Sequence, residues 1–513
     1  MNRKRRVALI VLVVLAVVIL AATIAMARPG GGGSFSGGGG GGGSRGGGGS
    51  SGGGGGDGLF GFIIGVFFEL LPWPVKLLVV AIFIGAFIFK AVRGKSQGED
   101  WSTAADQAQY QQQQWTPPVA ARPAAADVRT RLAAVRQFDP DFSLVLFEDF
   151  LYALYAETRY ALGRGQIALL SAYLSPDVLA RMQSMRPTPT RAVIIGAMRY
   201  VDAGGLDAAS SEVRLDVELE SNVSIFDGNA ETSLYVVERW TLARKHTARS
   251  RKPARARVLD CPGCGAPLTA VIAGTCTHCK RVVATGELDW IVRDAQVLRQ
   301  ETRPPLLTSD VQEEGTDLPT IVAPDAQQRF VELQQRDPAF TWHAFQQRLG
   351  LVFGEFQVAW SARDLAKMRA YLSDNLFQMQ SYWVNAYLSQ GLRNMNDNAR
   401  IEGIELARVE SDAFYDAVTV RVRAAGLDYT ITDRDGRVVS GSKSRERRYT
   451  EYWTLIRGAA RKGPSRTDNA CPNCGAPLVV NMAGVCNYCK AKVTSGEFDW
   501  VLSRIEQDEV YAG

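Results

Sequence analysis

All eight cysteines of this 513-residue chain fall into two matched quartets, CPGCGAPLTAVIAGTCTHC at Cys261, Cys264, Cys276 and Cys279, and CPNCGAPLVVNMAGVCNYC at Cys471, Cys474, Cys486 and Cys489. Each reads C-x2-C, eleven residues, C-x2-C, a spacing that brings four thiolates around one tetrahedral metal ion. Pro and Gly beside the first pair supply the tight turn this requires. The expectation is two structural zinc ions, one per small ribbon, with a disulfide framework or a redox dithiol as the alternatives. A site closed by four thiolates has no open position for substrate, so the expected role is structural. His278 sits between ribbon cysteines, but the matching position is Tyr488, which argues against ligation.

The quartets end a longer duplication. Between Cys261–Trp290 and Cys471–Trp500, 17 of 30 positions are identical, including the closing GELDW and GEFDW. Upstream, FDPDFSLVLF at Phe138 resembles RDPAFTWHAF at Arg336, AYLSPDVLARMQS resembles AYLSDNLFQMQS, and VERWTL at Val237 resembles TEYWTL at Thr450. The offset is 198 residues at the start, 213 at these strands and 210 in the ribbon, so the second copy has the longer hairpin.

Within each copy a helical stripe precedes alternating strands. Phe147, Phe150, Leu151, Leu154 and Tyr155 recur at helical spacing, as do Phe345, Leu349, Val352, Phe353 and Phe356. A second helix is expected through Leu169, Leu170 and Leu174 toward Met182, and its counterpart through Met368, Tyr371 and Leu376. Strands are expected at 212–220 and 417–423, then at segments ending on Trp240 and Trp453. Helices first and antiparallel strands after is an α+β pattern.

The N-terminus carries a basic cluster at 2–6, an apolar run from Val7 to Ile24, and Ala25-Met-Ala27, the three-part pattern of a secretory signal. A second apolar region runs from Leu59 to Val92, of which Val75–Val92 is about the minimum that crosses a bilayer. Basic residues before the first and after the second apolar segment put both ends in the cytoplasm by the positive-inside rule. Zinc-binding thiols favour the same reducing side. The expected segments are 1–27 signal-like or signal anchor, 28–58 Gly/Ser-rich disordered linker, 59–93 transmembrane and 94–126 Pro/Gln-rich disordered linker. They continue with 127–257 first domain, 258–300 first ribbon and closing segment, 301–323 linker, 324–467 second domain and 468–513 second ribbon and closing segment. The composition of the whole chain, 46% apolar and 22% charged, is ordinary for globular protein, and a net charge of +5 names no partner.

Charge concentrates instead in ARKHTARSRKPARARV, where Arg244, Lys245, Arg249, Arg251, Lys252, Arg255 and Arg257 lie between the first WTL strand and its ribbon. These are candidate contacts to anionic lipid, with a solvated loop or nucleic-acid phosphates as the other readings. Catalysis finds little support, because His246, His278 and His343 are not shared between copies and no phosphate loop or nucleophile triad appears. Glu238 and Glu451, beside the shared Trp, are the least implausible pocket acids.

The segment FxxxLxxVFGEFQVAWSARDLAKMRAYLS resembles the Tim44-like domain family, the bacterial relatives of the mitochondrial inner-membrane import tether. IEGIELARVES, the AVTVRV strand, the hairpin DRDGRVVSGS and the EYWTLIR strand carry the same resemblance. It covers 340–460 well and 140–245 more weakly. It implies two cone-like domains, each with helices packed across the concave face of a curved antiparallel sheet that encloses an apolar pocket. The first copy lacks the DGxVVxG hairpin, and the ribbons lie outside the family's pattern. The resulting expectation is a membrane-anchored, noncatalytic scaffold at a bacterial inner membrane, with repeats facing the cytoplasm and a periplasmic orientation as the alternative. Its pockets would bind membrane-protein segments, a chaperone or lipid, in protein translocation or membrane-protein assembly. A nucleic-acid-binding ribbon protein and an enzyme using the cone pocket are the competing functions.

Overall fold

The structure is a computed structural model that describes residues 122–123 and 128–513, apart from 227, 229, 303–306, 308–314, 509 and 512. The two apolar segments expected to meet the membrane lie outside the described residues. Among the described residues no helix is long and apolar enough to cross a bilayer.

A two-residue strand β1 (Arg122–Pro123) precedes the first repeat, which opens with the short helix α1 (Val128–Leu132) and the long helix α2 (Leu144–Gly163). Ser143 caps α2 by accepting from the Leu146 N–H, which satisfies one of the orphan donors of the first turn. The expected stripe of Phe147, Phe150, Leu151, Leu154 and Tyr155 is buried. The second helix is interrupted where one helix was expected. Ile167–Leu170 is a 3-10 turn, and α3 (Pro176–Gln183) starts afresh from a Ser175 cap with Pro at its first position, where a missing N–H costs nothing.

Three 15-residue strands follow: β2 (Thr190–Gly204), β3 (Glu212–Phe226) and β4 (Glu231–Lys245). On β3, Val213, Leu215, Val217 and Leu219 are buried under α2, while Arg214, Asp216 and Glu218 face the other way. The first ribbon, with the hairpin β5 (Val271–Ile272) and β6 (Thr275–Cys276), is inserted before β7 (Ile291–Thr302). The segment closing the ribbon is therefore the fourth strand of the domain's own antiparallel sheet, ordered β2-β3-β4-β7.

The second repeat begins at β8 (Ile321–Val322), which pairs with β1 in parallel. Helices α4 (Ala326–Arg336), α5 (Trp342–Ala362), α6 (Leu365–Arg369) and α7 (Asp374–Ser389) come next. They are followed by β9 (Leu392–Ser411), β10 (Tyr415–Thr432), β11 (Val438–Gly441), β12 (Arg447–Gly458) and β13 (Val501–Gln507). Strands β9, β10, β12 and β13 repeat the antiparallel order of the first sheet, and the extra strand β11 extends the longer hairpin read from the sequence. Register shifts at Thr419/Val420, Arg423/Ala424 and Ala425/Leu427 mark bulges along β9–β10, devices that bend a sheet around the helix it covers.

The repeats share contacts at equivalent positions. Leu174 bridges Val292 in the first copy and Leu372 bridges Leu502 in the second. Ser175 and Ser373 cap α3 and α7 alike.

The two copies pack against one another through a charged seam. Glu148 on α2 meets Arg129 of α1 at 2.8 Å and Arg504 of β13 at 2.8 Å, and accepts from the Tyr200 hydroxyl of β2 at 3.0 Å. Arg129 also reaches Glu410 of β9 at 3.3 Å. Beside this network Tyr235, Ile194 and Val237 of the first sheet join the second repeat's apolar core.

Candidate metal centres and the cleft between the repeats

In the first ribbon Cys261 Sγ lies 3.9 Å from Cys279 Sγ, and Cys264 Sγ lies 3.9 Å from Cys276 Sγ. In the second, Cys471 and Cys489 are 3.8 Å apart. Within each quartet all four sulfurs lie within 4.8 Å of one another. A zinc–thiolate bond of about 2.3 Å in a tetrahedron requires sulfur–sulfur edges of about 3.8 Å, so the donor set fits such an ion. Gly265 (φ 76°) and Gly475 (φ 74°) make the turn after each first cysteine pair in the left-handed region that glycine tolerates.

Backbone donors point at the sulfurs. The N–H groups of Cys279 and His278 pull the Cys276 thiol down to about 6. The Ala491 N–H and the Asn473 amide do the same for Cys489, also to about 6. Burial pushes Cys261 and Cys471 up to about 12, so these two need a bound cation to be thiolates at neutral pH. His278 is exposed and stands outside the cluster. Zinc bound here by four cysteines would hold the ribbon folded and would leave no position for a reacting molecule.

The Asp-Trp pair ending each ribbon anchors it to its domain. Asp289 accepts from the Trp290 N–H at 2.8 Å, and Asp499 from the Trp500 N–H at 2.8 Å. Over each indole lies a buried arginine bonded to the aspartate of the upstream FDP or RDP motif. In the first copy Arg244 covers Trp290 and pairs with Asp139 at 2.8 Å. In the second, Arg457 covers Trp500 and pairs with Asp337 at 3.0 Å. The AYLS tyrosines complete the attachment, Tyr173 donating to the Asp260 carbonyl and Tyr371 to Asn469 Oδ1.

Most of the basic connector, expected as a candidate lipid or phosphate contact, is engaged in ion pairs within the chain. Besides Arg244, Arg251 pairs with Asp289 at 2.6 Å, Lys252 with Asp141 at 2.7 Å and Arg255 with Asp260 at 2.6 Å. Lys245 pairs with Glu212 at 3.2 Å and Arg257 with Asp149 at 3.5 Å. Arg249 is exposed and donates to the carbonyls of His246 and Ala248. A sequence window displays the arginines together; except for Asp260, five residues from Arg255, their carboxylate partners come from distant parts of the chain, chiefly the segment before and into α2 and the end of the ribbon.

The cone interiors also differ from the expected pockets. Tyr155 packs on Trp240 at 5.2 Å in the first, and Phe353 and Phe356 pack on Trp453 at 5.4 and 5.9 Å in the second. Glu238, 5% exposed, is closed off by Arg159 at 2.5 Å. Glu451, 1% exposed, accepts from Trp453 Nε1 at 2.9 Å and Gln507 at 3.1 Å.

The large open space lies between the repeats, a cleft of about 710 Å³. One wall is the face of α2 bearing Leu146, Asp149 and Tyr152 with the connector at Arg257; the other holds the start of α7, the β9–β10 turn at Phe414 and Tyr415, and the second ribbon's closing loop through Thr494 and Glu497. Asp149 accepts from Asn375 Nδ2 at 2.5 Å, and Arg257 donates to Asn375 Oδ1. Burial raises Asp149 to about 6, Arg257 opposing the shift and Asp374 and Glu148 reinforcing it. Apart from Lys252 and Arg257 of the basic connector, these residues were not legible as a site in the sequence, because the cleft exists only where two copies meet and its residues do not repeat: Gln347 stands where Asp149 has its counterpart.

Residues 326–466 match the Tim44-like domain family. The second repeat carries a Tim44-like domain. The match leaves the first repeat outside it, so the Tim44-like part covers helices α4 to α7 and strands β9 to β12, with the ribbon and β13 beyond. No curated protein matches the sequence. Among solved structures, an Ntf2-like protein involved in plasmid conjugation is 9% identical, with the alignment covering 70% of this chain and 92% of that one at a TM-score of 0.16. At that score the likeness carries no argument about fold.

Proposed function

We propose that the chain is a membrane-anchored, noncatalytic scaffold, and that it holds its partner in the cleft between the repeats. The first repeat acts as a second Tim44-like domain, and zinc keeps both ribbons folded. The observation that carries this reading is the Tim44-like domain joined through the Glu148 network to an equivalent first repeat, with an open, chemically mixed cleft of about 710 Å³ between them. A cleft of that size with a few convergent polar groups is the usual form of a binding site. The anchor comes from the apolar segments of the N-terminal region, and the partner class is a membrane-protein segment or a protein in transit.

The test is photo-crosslinking in intact cells from the full chain with a photoreactive aromatic residue at Phe414, against the same residue at exposed Leu298 on β7. Adducts with membrane or translocating proteins specific to Phe414 support the scaffold. The same adducts from both positions, or none, refute it.

A further inference from the structure

We propose that the cleft between the repeats binds an organic cation, an ammonium or guanidinium group carried on an apolar stem. The inference rests on the reading of the cleft as the binding site and adds its chemistry.

Formal charge along the walls is nearly balanced, so the deciding question is which groups are already engaged. The cations are. Lys252 is held by Asp141, Lys492 by Asp374 at 2.6 Å, and Arg504 by Glu148. Arg257 lies against Asp149 and Asn375, and Arg461 donates to the carbonyls of Phe498 and Pro464. The acceptors are less fully used. Asp149 has one oxygen bonded by Asn375 and Arg257 and the second without a partner among the described residues, and Glu497 forms no ion pair there. The Tyr152 and Tyr415 hydroxyls likewise have no hydrogen-bond partner among the described residues, although both rings are largely enclosed.

At the Tyr415 corner of the cleft carboxylates predominate. After burial, the charges that raise the Tyr415 phenol are Asp149, Asp412, Glu497 and Asp374, whereas Arg257 acts on Asp149 and Arg504 on Tyr152. A concave surface where acidic groups predominate favours the opposite ion. Aromatic rings beside carboxylates add the attraction of a cation for a π face. Phe414 already shows this chemistry, with Lys252 Nζ 5.1 Å from its ring centroid. Apolar side chains at Leu146, Pro253 and Ile456 provide contact for the stem. A carboxylate ligand would meet Asp149 and Glu497, and the donors left to receive it are the remaining nitrogens of Arg257, which already faces Asp149, and the remaining donor of Arg461.

Two sources share this chemistry, a free alkylamine or alkylguanidine and the side chain of a lysine or arginine in a bound polypeptide. The experiment is calorimetric titration of the purified full chain at low ionic strength with four probes: n-butylamine, n-butylguanidine, an end-blocked Ala-Lys-Ala peptide and its acetyl-lysine form. An end-blocked Ala-Glu-Ala peptide is the charge control. The cationic probes are expected to bind at one site per chain, with acetylation of the lysine abolishing binding. Asp149→Asn is expected to weaken binding about tenfold or more and Tyr415→Phe about threefold. Metal content and far-UV dichroism identical to wild type exclude unfolding as the cause, and Tyr415→Phe, which removes one oxygen, serves if Asp149→Asn fails to fold. A blocked lysine peptide that outbinds butylamine assigns the site to a polypeptide side chain, and the reverse assigns it to a free amine. No cationic binding at about 10 mM, equal binding by the glutamate peptide, or an unchanged affinity in both variants overturns the proposal. Crosslinks from Phe414 that persist undiminished under saturating butylguanidine would overturn the cation chemistry while leaving the scaffold intact; cation binding without such crosslinks would do the opposite.

Discussion

Glu148 is the position where the union of the two repeats can be tested most directly. Its carboxylate is 11% exposed and receives Arg129 and Arg504, each at 2.8 Å, and the Tyr200 hydroxyl at 3.0 Å. Glu148→Gln keeps the shape and an acceptor for Tyr200 but removes the charge between two arginines that already repel one another. Removing one partner of a buried pair typically costs about 3–5 kcal/mol. Part of that is recovered here, because Arg129 retains Glu410 at 3.3 Å and Arg504 retains Glu506 at 3.7 Å. The expected loss is therefore near the lower end, about 3 kcal/mol, a large fraction of the ~5–15 kcal/mol available to a domain. It falls on the seam between α2 and β13 and spares both cores, so the signature is decoupling. Urea unfolding followed by tryptophan fluorescence should show one transition in the wild type and two in the variant, with the seam opened to protease. Arg504→Gln added to Glu148→Gln should cost little more, since the two changes break one network. A loss under about 1 kcal/mol with a single transition retained would refute the reasoning.

Other expectations follow from the ribbons and the titrating groups. Cys261→Ser and Cys471→Ser should each lower bound metal from two ions to one per chain by elemental analysis, with dichroism from the sheets preserved, and only Cys471→Ser should also disturb the cleft. Arg369→Ala should speed loss of metal from the second ribbon to a chelator, because Arg369 donates to the Met482 carbonyl at 2.9 Å and to Leu372 at 2.6 Å from a 1% exposed position. Asp149, raised to about 6 by burial against the pull of Arg257 and with Asp374 and Glu148 adding to it, holds its proton in the folded chain through pH values where the unfolded chain has lost it. Stability should therefore fall as pH rises from about 4 to about 6, by on the order of 1–3 kcal/mol, and Asp149→Asn should flatten that slope in urea titrations. Glu410 runs the other way: burial alone would raise it, but Arg129 and Arg408 outweigh that and hold it at about 2. Its contribution is present above about pH 4.5 and should be lost between about pH 4 and pH 2, a loss absent from Glu410→Gln.

Local chemistry was legible where it repeats along the chain. The cysteine spacing, the Asp-Trp anchor, the helical stripes and the extra hairpin of the second copy could be read because each is encoded within a few tens of residues and appears twice. The ion pairs of the basic connector were not legible in the sequence. Arg244 and Arg251 are bonded by Asp139 and Asp289, which lie 105 and 38 residues away, and a charge counted in a window carries no record of such a partner. The aromatic packing beneath each sheet, Tyr155 on Trp240 and Phe353 on Trp453, joins helix to strand across the repeat and is displayed by no single window. The cleft was out of reach altogether, because Asp149, Asn375 and Tyr415 become neighbours only through the packing of one copy on the other.

That packing also explains why the copies have not remained interchangeable. In the second, Arg369 grips the ribbon from within the domain, and Lys492 pairs with Asp374 at the start of α7. The equivalent positions in the first are Ser171, whose hydroxyl reaches only the Val271 carbonyl at 3.5 Å, and Val282 and Pro176, which cannot form an ion pair. The first ribbon presents Ile272, Thr275 and Val282 in one cross-strand row, with Ile272 64% and Val282 57% exposed, and the second exposes Met482 at 54% and Tyr488 at 57%. The second is drawn against its domain, where Lys492, Thr494 and Glu497 become one side of the cleft. The asymmetry follows from side chains at Arg369 and Lys492 acting on two ribbons of the same backbone, and the two copies contribute unlike surfaces to the cleft: the first supplies the face of α2 and the second supplies the wall opposite it.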